Sequence, residues 1–298
     1  MMKIGFIGFG EAGQAIWSDW HRRNDVEAVV YDLKLDQPDT AVSTREQLRE
    51  RGLTAAANAR QVCMQSDLVF SLVTADQAEA VVTSLGGVSL NPVWFVDANS
   101  CSPTTKQRNA QRITELGGRY IDMAIMAPIL PLRSQTPVLV AGPNAEMLME
   151  QWMQPLQMSG RYLGETVGKA SSVKMIRSVM VKGMEALTAE CLLSAQKAGV
   201  SEDVMQSLAH SHPSLDWPEK ATYNLERMIK HGQRRSAEMR EVESFLNDLG
   251  FYDTITHSVA NWQQRIGGLG LVPESDDVQT LSQTLLHELT FVLPEEVL

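Results

Sequence analysis

Short apolar runs alternate with segments of helical periodicity through the first half of the chain. The runs predict buried strands over residues 4–8, 28–31, 68–73, 93–96, 120–126 and 138–141, with a further short strand over 53–57. The helical spacing predicts helices over 12–20, 44–51, 75–85 and 104–116. The polar stretch 37–43 contains Pro38 and is interpreted as a loop. Strands that alternate with helices predict a parallel, doubly wound α/β sheet.

The second half of the chain carries helical periodicity only. Helices are predicted over residues 169–198, 201–209, 218–230, 236–249, 254–266 and 277–292, with a loop over 267–273. The first of these would be about 45 Å long at 1.5 Å per residue. The predicted fold is therefore a Rossmann-type domain over residues 1–163 and an all-helical domain over 164–298. The active site is expected in the cleft between the two domains.

The first strand leads into the glycine pattern G-x-G-x-x-G, formed by Gly8, Gly10 and Gly13. A glycine at the first position permits a tight turn, one at the second lets a pyrophosphate approach, and one at the third lets the helix pack on the sheet. The helix N-terminus then offers N–H groups and positive dipole to the phosphates. Dinucleotide contacts are predicted for all six residues of this turn: Gly8, Phe9, Gly10, Glu11, Ala12 and Gly13.

The second predicted strand ends at Asp32, 19 positions after Gly13. An acid there can accept hydrogen bonds from the adenine ribose and would repel a 2′-phosphate. Asp32 therefore favours NAD over NADP. The alternative is a glycine-rich turn in an unrelated α/β protein, with Asp32 as the cap of a strand end.

Composition narrows the possible partners. The chain has 298 residues and a formal net charge of −10, which argues against nucleic acid. Neither a long apolar run nor a signal-peptide pattern is evident, and the three cysteines are too few and too far apart for a disulfide framework. The six histidines lack ligand spacing, so no metal site is predicted. A reducing cytoplasm is the expected location.

Three further segments, taken with the glycine pattern, resemble the β-hydroxyacid dehydrogenase family, which includes 3-hydroxyisobutyrate and 6-phosphogluconate dehydrogenases. Residues 97–103, D-A-N-S-C-S-P, resemble its D-x-S-T-x-x-P segment, which implies that Ser100 stands near nicotinamide and substrate. Val73 and Thr74 fall where the family's fourth strand touches the cofactor. Residues 168–178, G-K-A-S-S-V-K-M-I-R-S, resemble the start of its interdomain helix, which implies that Lys174 is the acid/base residue.

The sequence departs from the family pattern at three places, which indicates an outlying branch. Arg177 and Ser178 replace the two asparagines that follow the lysine. Met126, Ala127 and Pro128 replace the Ser-Gly-Gly of the substrate loop. The late Lys-Asp motif is not evident, and residues 234–239 are the nearest equivalent.

The predicted chemistry is hydride transfer with a lysine that exchanges the hydroxyl proton. Burial lowers the pKa of a lysine toward neutrality, where it can cycle between ammonium and amine. Ser178 lies one turn after Lys174 and could orient it. Substrate contacts are predicted for Ser100, Met126, Ala127, Lys182 and Arg235. Arg133 and Arg234 are further possible anchors for an acid group, and each of these arginines could equally lie on the surface. The alternative is that Lys174, Arg177 and Lys182 form a solvated basic face that pairs with acids such as Glu185.

The sequence thus predicts an NAD-dependent oxidoreductase acting on a small hydroxy acid or its aldehyde or keto form. Two alternatives remain open. One is an imine reductase-like enzyme, which Lys174 disfavours because such enzymes need no proton-donating lysine there. The other is a cofactor-binding sensor or assembly protein without turnover. The long apolar helix also predicts a homodimer, because one chain cannot easily cover it.

Overall fold

A computed structural model describes residues 1–273 and 277–292 of the chain. Eight strands form one sheet: β1 Met2–Ile7, β2 Val26–Tyr31, β3 Thr54–Ala55, β4 Leu68–Ser71, β5 Trp94–Asp97, β6 Arg119–Ile125, β7 Val138–Ala141 and β8 Gly160–Tyr162. The helices are α1 Glu11–Trp20, α2 Pro38–Glu50, α3 Ala59–Gln65, α4 Ala78–Ser84, α5 Pro103–Glu115, α6 Ala145–Leu148, α7 Lys169–Ala198, α8 Ser201–Ser211, α9 Trp217–Asp248, α10 Thr256–Gly267 and α11 Val278–Val292.

The strand order in the sheet is β3-β2-β1-β4-β5-β6-β7-β8. The first six positions give the 3-2-1-4-5-6 order of a dinucleotide-binding fold. The order reverses between β1 and β4, so the ends of these strands flank the crevice where such sheets bind ligands. This arrangement confirms the predicted Rossmann-type architecture.

The predicted parallel, doubly wound sheet differs from the structure at one pairing, because β7 runs antiparallel to β6. A parallel return usually passes through an α-helix that crosses the face of the sheet. Residues 126–137 join the two strands and contain a single 3₁₀ turn, Arg133–Gln135. The chain therefore turns back beside β6 in the opposite direction, and the sheet is mixed.

The chain divides into two compact units, Met1–Met175 and Ile176–Leu298. In the first, apolar clusters cover both faces of the sheet, one around Phe6 and Phe70 and the other around Phe95 and Ile113. In the second, the core consists of the apolar side chains of α7, α9, α10 and α11. The division between the units falls within α7, later in the chain than the predicted domain boundary at residue 163.

Two local predictions were wrong. Residues 38–43 belong to α2, because Pro38 occupies the first turn, where a missing N–H costs nothing. The helices predicted over 218–230 and 236–249 are one helix, α9. Gly232 does not end it: an added Cβ would lie 2.3 Å from the Gln263 carbonyl oxygen, so this glycine lets α10 pack directly on the α9 backbone.

The sequence reading missed three short elements, α3, α6 and β8, which are too brief to show a clear period. Within residues 1–273 and 277–292, no helix has the length and apolar character required to cross a membrane.

Candidate active site

The three glycines of the turn between β1 and α1 differ in the space around them. Gly8 and Gly13 are closely packed, whereas the backbone at Gly10 is open where a phosphate would approach. Gly8 has φ +83°, and a Cβ there would lie 2.8 Å from the Leu72 carbonyl oxygen. A Cβ on Gly13 would lie 2.9 Å from Phe9 Cδ2. At Gly10, the N-cap of α1, an added Cβ would have no heavy atom within 4 Å. The turn therefore fits a dinucleotide: two glycines are required by sterics, and the middle one leaves the backbone open.

Asp32 follows β2 directly and holds the same turn. Its Oδ2 accepts a hydrogen bond from the Phe9 N–H at 2.8 Å, and its Oδ1 accepts one from the Lys34 N–H at 3.0 Å. The carboxylate is half-buried beside the glycine turn. Asp32 thus caps the strand end, as the alternative interpretation proposed, and it also lies at the position where the dinucleotide interpretation needs an acid.

Asn99 joins the ends of β4 and β5. Its Oδ1 accepts a hydrogen bond from the Val73 N–H at 2.7 Å, and its Nδ2 donates to Ser71 Oγ at 2.9 Å. The Asn99 N–H donates to Asp97 Oδ1 at 3.0 Å. These bonds fix the backbone on both sides of the asparagine, so that Val73, the exposed Thr74 and the half-buried Ser100 share one edge of the sheet.

Lys174 and Ser100, which are 74 positions apart in sequence, are in direct contact. Lys174 Nζ donates a hydrogen bond to Ser100 Oγ at 2.6 Å. Lys174 lies in the second turn of α7 and is half-buried. Ser178, the third predicted catalytic residue, is half-buried one turn further along the helix.

Asp122 fixes the start of α7. This carboxylate is fully buried in β6, and its Oδ2 accepts hydrogen bonds from the N–H groups of Gly168, Ala170 and Ser171 at 3.0, 3.1 and 3.2 Å. A carboxylate at a helix N-terminus satisfies free N–H groups and complements the helix dipole. The helix that carries Lys174 is thereby attached to the sheet.

Lys106 connects Asp122 with the loop that carries Ser100. Its fully buried Nζ lies 2.8 Å from Asp97 Oδ1 and 3.7 Å from Asp122 Oδ1. Asp97 Oδ2 also accepts a hydrogen bond from the Tyr120 hydroxyl at 2.7 Å. Burial opposes the lysine charge, but the adjacent Asp97, Cys101 and Asp122 together outweigh it, so the pKa of Lys106 is raised. Lys106 is thus a cation between two carboxylates that fix opposite sides of the Lys174–Ser100 contact.

Sequence reasoning missed the role of this buried group, although a signal was present. Lys106, Asn109 and Ile113 recur at helical spacing in α5, and all three are fully buried. When a lysine and an asparagine share one face of a helix with a core isoleucine, that face indicates a polar network inside the fold.

The loop after β6 carries the predicted substrate residues Met126 and Ala127. Met126 is half-buried, and its N–H donates to the Pro137 carbonyl at 2.9 Å. Ala127 is exposed. Arg133, further along the loop, donates to Asp19 at 3.2 Å.

The two predicted substrate cations of the helical unit already have carboxylate partners. Buried Lys182 donates to Glu238 at 2.6 Å, and burial lowers the pKa of this lysine. Arg235 is buried and forms a bidentate ion pair with Glu185. Gln263 also donates to Glu185, at 2.7 Å. Lys182 thus pairs with an acid, as the alternative interpretation had it, but that interpretation placed the lysine on a solvated face, whereas Lys182 is buried and its partner Glu238 is on α9.

Residues 3–155 match the NAD binding domain of 6-phosphogluconate dehydrogenase. The chain belongs to the β-hydroxyacid dehydrogenase family. Residues 195–266 of this family member match a domain of unknown function, DUF1932.

Relatives and solved structures agree with this assignment. The 2-hydroxy-3-oxopropionate reductase of Escherichia coli K12 is 28% identical over 204 residues, 66% of each chain. The crystal structure of a conserved hypothetical protein from Sinorhizobium meliloti 1021 is 33% identical, with a TM-score of 0.76 over 97% of both chains. The 3-hydroxyisobutyrate dehydrogenase of Mycobacterium tuberculosis shares the fold at 13% identity, with a TM-score of 0.69 over 96% of this family member and 99% of that chain.

Replacing Lys106 with methionine tests the buried network of this family member. We expect the free energy of unfolding to fall by about 3–5 kcal/mol, because Asp97 would remain buried without a cation. Urea titration followed by circular dichroism measures the change. Lys34→Met, at an exposed lysine of the same unit, should stay within about 0.5 kcal/mol of the parent. A loss below about 1 kcal/mol in Lys106→Met would contradict the role given to this lysine.

Proposed function

We propose that this protein is an NAD-dependent oxidoreductase that transfers a hydride between the nicotinamide cofactor and a small hydroxy acid or its aldehyde or keto form. Family membership supports the coarser statement, an NAD(P)-dependent dehydrogenase. The observation that carries the finer proposal is the 2.6 Å hydrogen bond from Lys174 Nζ to Ser100 Oγ. This hydrogen bond brings an amine that can exchange a proton and a hydroxyl group together at the edge of the sheet where the glycine turn also lies.

The glycine turn and the neighbouring strand ends hold the cofactor in this proposal. N–H groups at the start of α1 bind the pyrophosphate, and Asp32 binds the adenine ribose. Val73 and Thr74 line the cofactor at the end of β4. A bound nicotinamide supplies or accepts the hydride.

Lys174 moves the proton. In the direction of oxidation, its neutral Nζ takes the proton from the substrate hydroxyl, and in the direction of reduction, the ammonium returns that proton to the carbonyl oxygen. The Ser100 hydroxyl orients Nζ and can also hold the substrate oxygen. The attachment of α7 to Asp122 restricts the helix, so Nζ keeps a fixed position relative to Ser100.

The remaining residues form the substrate surface. Met126 and Ala127 offer an apolar surface beside the carboxyl end of β6, and Ser178 supports Lys174 from one turn along α7. Lys182 and Arg235 stay predicted substrate contacts, although Glu238 and Glu185 already neutralise them.

Replacing Lys174 with methionine tests the catalytic proposal. We expect turnover to fall at least about 100-fold, because general acid–base catalysis contributes about 10²- to 10⁴-fold. The measurement is NADH formation or consumption over a panel of small 2- and 3-hydroxy acids, sugar acids and 2-hydroxy-3-oxopropionate. Lys169→Met, at an exposed lysine of the same helix, should keep full turnover. Full turnover in Lys174→Met would remove the lysine from the mechanism. Intact NADH binding without turnover of any compound by the parent would favour the non-catalytic alternative.

Asp32→Asn tests the cofactor preference. The parent should bind NADH more tightly than NADPH, and the variant should shift that ratio about tenfold toward NADPH, because the negative charge that repels the 2′-phosphate is gone. The amide oxygen of the substituted side chain can still accept the hydrogen bond from the Phe9 N–H, so the turn should persist. Fluorescence titration with both cofactors measures the ratio, and equal affinities in the parent would refute the NAD preference.

We also propose a homodimer. Ile176, Met180, Met184 and Leu187 of α7 are all exposed, with Met180 at 67%, and helical geometry places them within an arc of about 80°. Such a continuous apolar face is typical of an interface. Sedimentation equilibrium should give twice the 33.0 kDa chain mass. A monomeric mass at micromolar concentration would contradict the dimer.

A further inference from the structure

Arg227 of α9 differs from the other interior cations of the helical unit. The side chain is half-buried. Among the described residues, no carboxylate forms a hydrogen bond or ion pair with its guanidinium, whereas Lys182 and Arg235 each have one. A charge withdrawn from water without a partner is costly, so this position favours an anion.

The surroundings of Arg227 add positive charge. Arg235 and Arg234 both act on it electrostatically, and burial together with Arg235 lowers the pKa of its guanidinium. Two carboxylates, Glu185 and Glu238, act on Lys182, and Glu185 also acts on Arg227. Against the four cations Lys182, Arg227, Arg234 and Arg235, these two acids leave an excess of two positive charges. This local excess stands out in a chain whose net charge is −10.

Helical geometry places Arg227 and Arg234 on one face of α9. They are seven residues apart, which leaves them about 20° apart around the axis and about 10 Å apart along it. Two long side chains can converge on one small anion across that span. Between Lys220 and Arg234, this face carries no carboxylate. Glu238 follows Arg234 by one turn, but Lys182 is its partner.

We propose that Arg227, assisted by Arg234, binds a carboxylate or phosphate group of a small molecule. The guanidinium fork of Arg227 forms a bidentate pair with two oxygens of that group. This anion site lies within the helical unit and goes beyond the proposed function. Arg227 is assigned to it because the charges of Lys182 and Arg235 already have carboxylate partners in that unit.

The test is calorimetric titration of the full chain with malonate and, separately, with inorganic phosphate. Arg227→Gln should weaken binding of the recognised probe at least tenfold. Arg240→Gln is the matched control: it removes the same charge from an exposed position on the opposite side of the same helix, and it should bind as the parent does. NADH binding, followed by fluorescence, should be unchanged in both variants and shows that the fold and cofactor site persist.

The two probes identify the anion, since binding of malonate alone assigns the site to carboxylates and binding of phosphate alone assigns it to phosphate esters. Equal affinity of Arg227→Gln and the parent would overturn the inference. So would the absence of binding of both probes by the parent, or equal weakening in Arg240→Gln, which would reveal only an effect of net charge. Failure of the proposed function is separate, because it would be seen as a parent that does not bind NADH or does not turn over any hydroxy acid.

Discussion

A lysine without access to solvent, Lys106, lies between two buried carboxylates, and the candidate site depends on this interaction. Asp97 begins the loop that carries Ser100, and Asp122 binds the first N–H groups of α7, the helix that carries Lys174. Each carboxylate would be costly to bury alone, and the shared cation compensates both. The hydrogen bond between Lys174 and Ser100 therefore joins two segments that are already fixed to one sheet.

The same electrostatic rule distinguishes the cations of the helical unit. Lys182 and Arg235 lie in the interior with Glu238 and Glu185, so each charge is compensated and an incoming acid would compete with an existing partner. Arg227 has like charges near it and no carboxylate partner among the described residues. Of these three cations, Arg227 thus gains most from a bound anion, and sequence spacing alone did not single it out.

The elements that were predicted correctly are determined by residues within them or next to their ends. Helix α7 was predicted with the bounds that the structure shows, because it contains no proline and because Gly168 and Gly199, with φ +98° and +73°, lie just outside its two ends. The elements that were predicted wrongly depend on contacts with distant segments or on the position of a residue within its helix. Gly232 resembles a helix break until α10 is seen to pack against it, and Pro38 resembles a loop residue until it is seen to occupy the first turn of a helix.

The sequence by itself determined the strand–turn–helix at Gly8, Gly10 and Gly13, the acid at the end of β2, the alternation of elements and the length of α7. These features depend on conformational preferences and periodicity within a few residues. Only the tertiary structure decided which charges have partners. Lys174 meets Ser100 across 74 positions, Lys182 meets Glu238 across 56, and Arg235 meets Glu185 across 50. The electrostatic state of a side chain depends on burial and on distances across the fold, and spacing along the chain does not encode either.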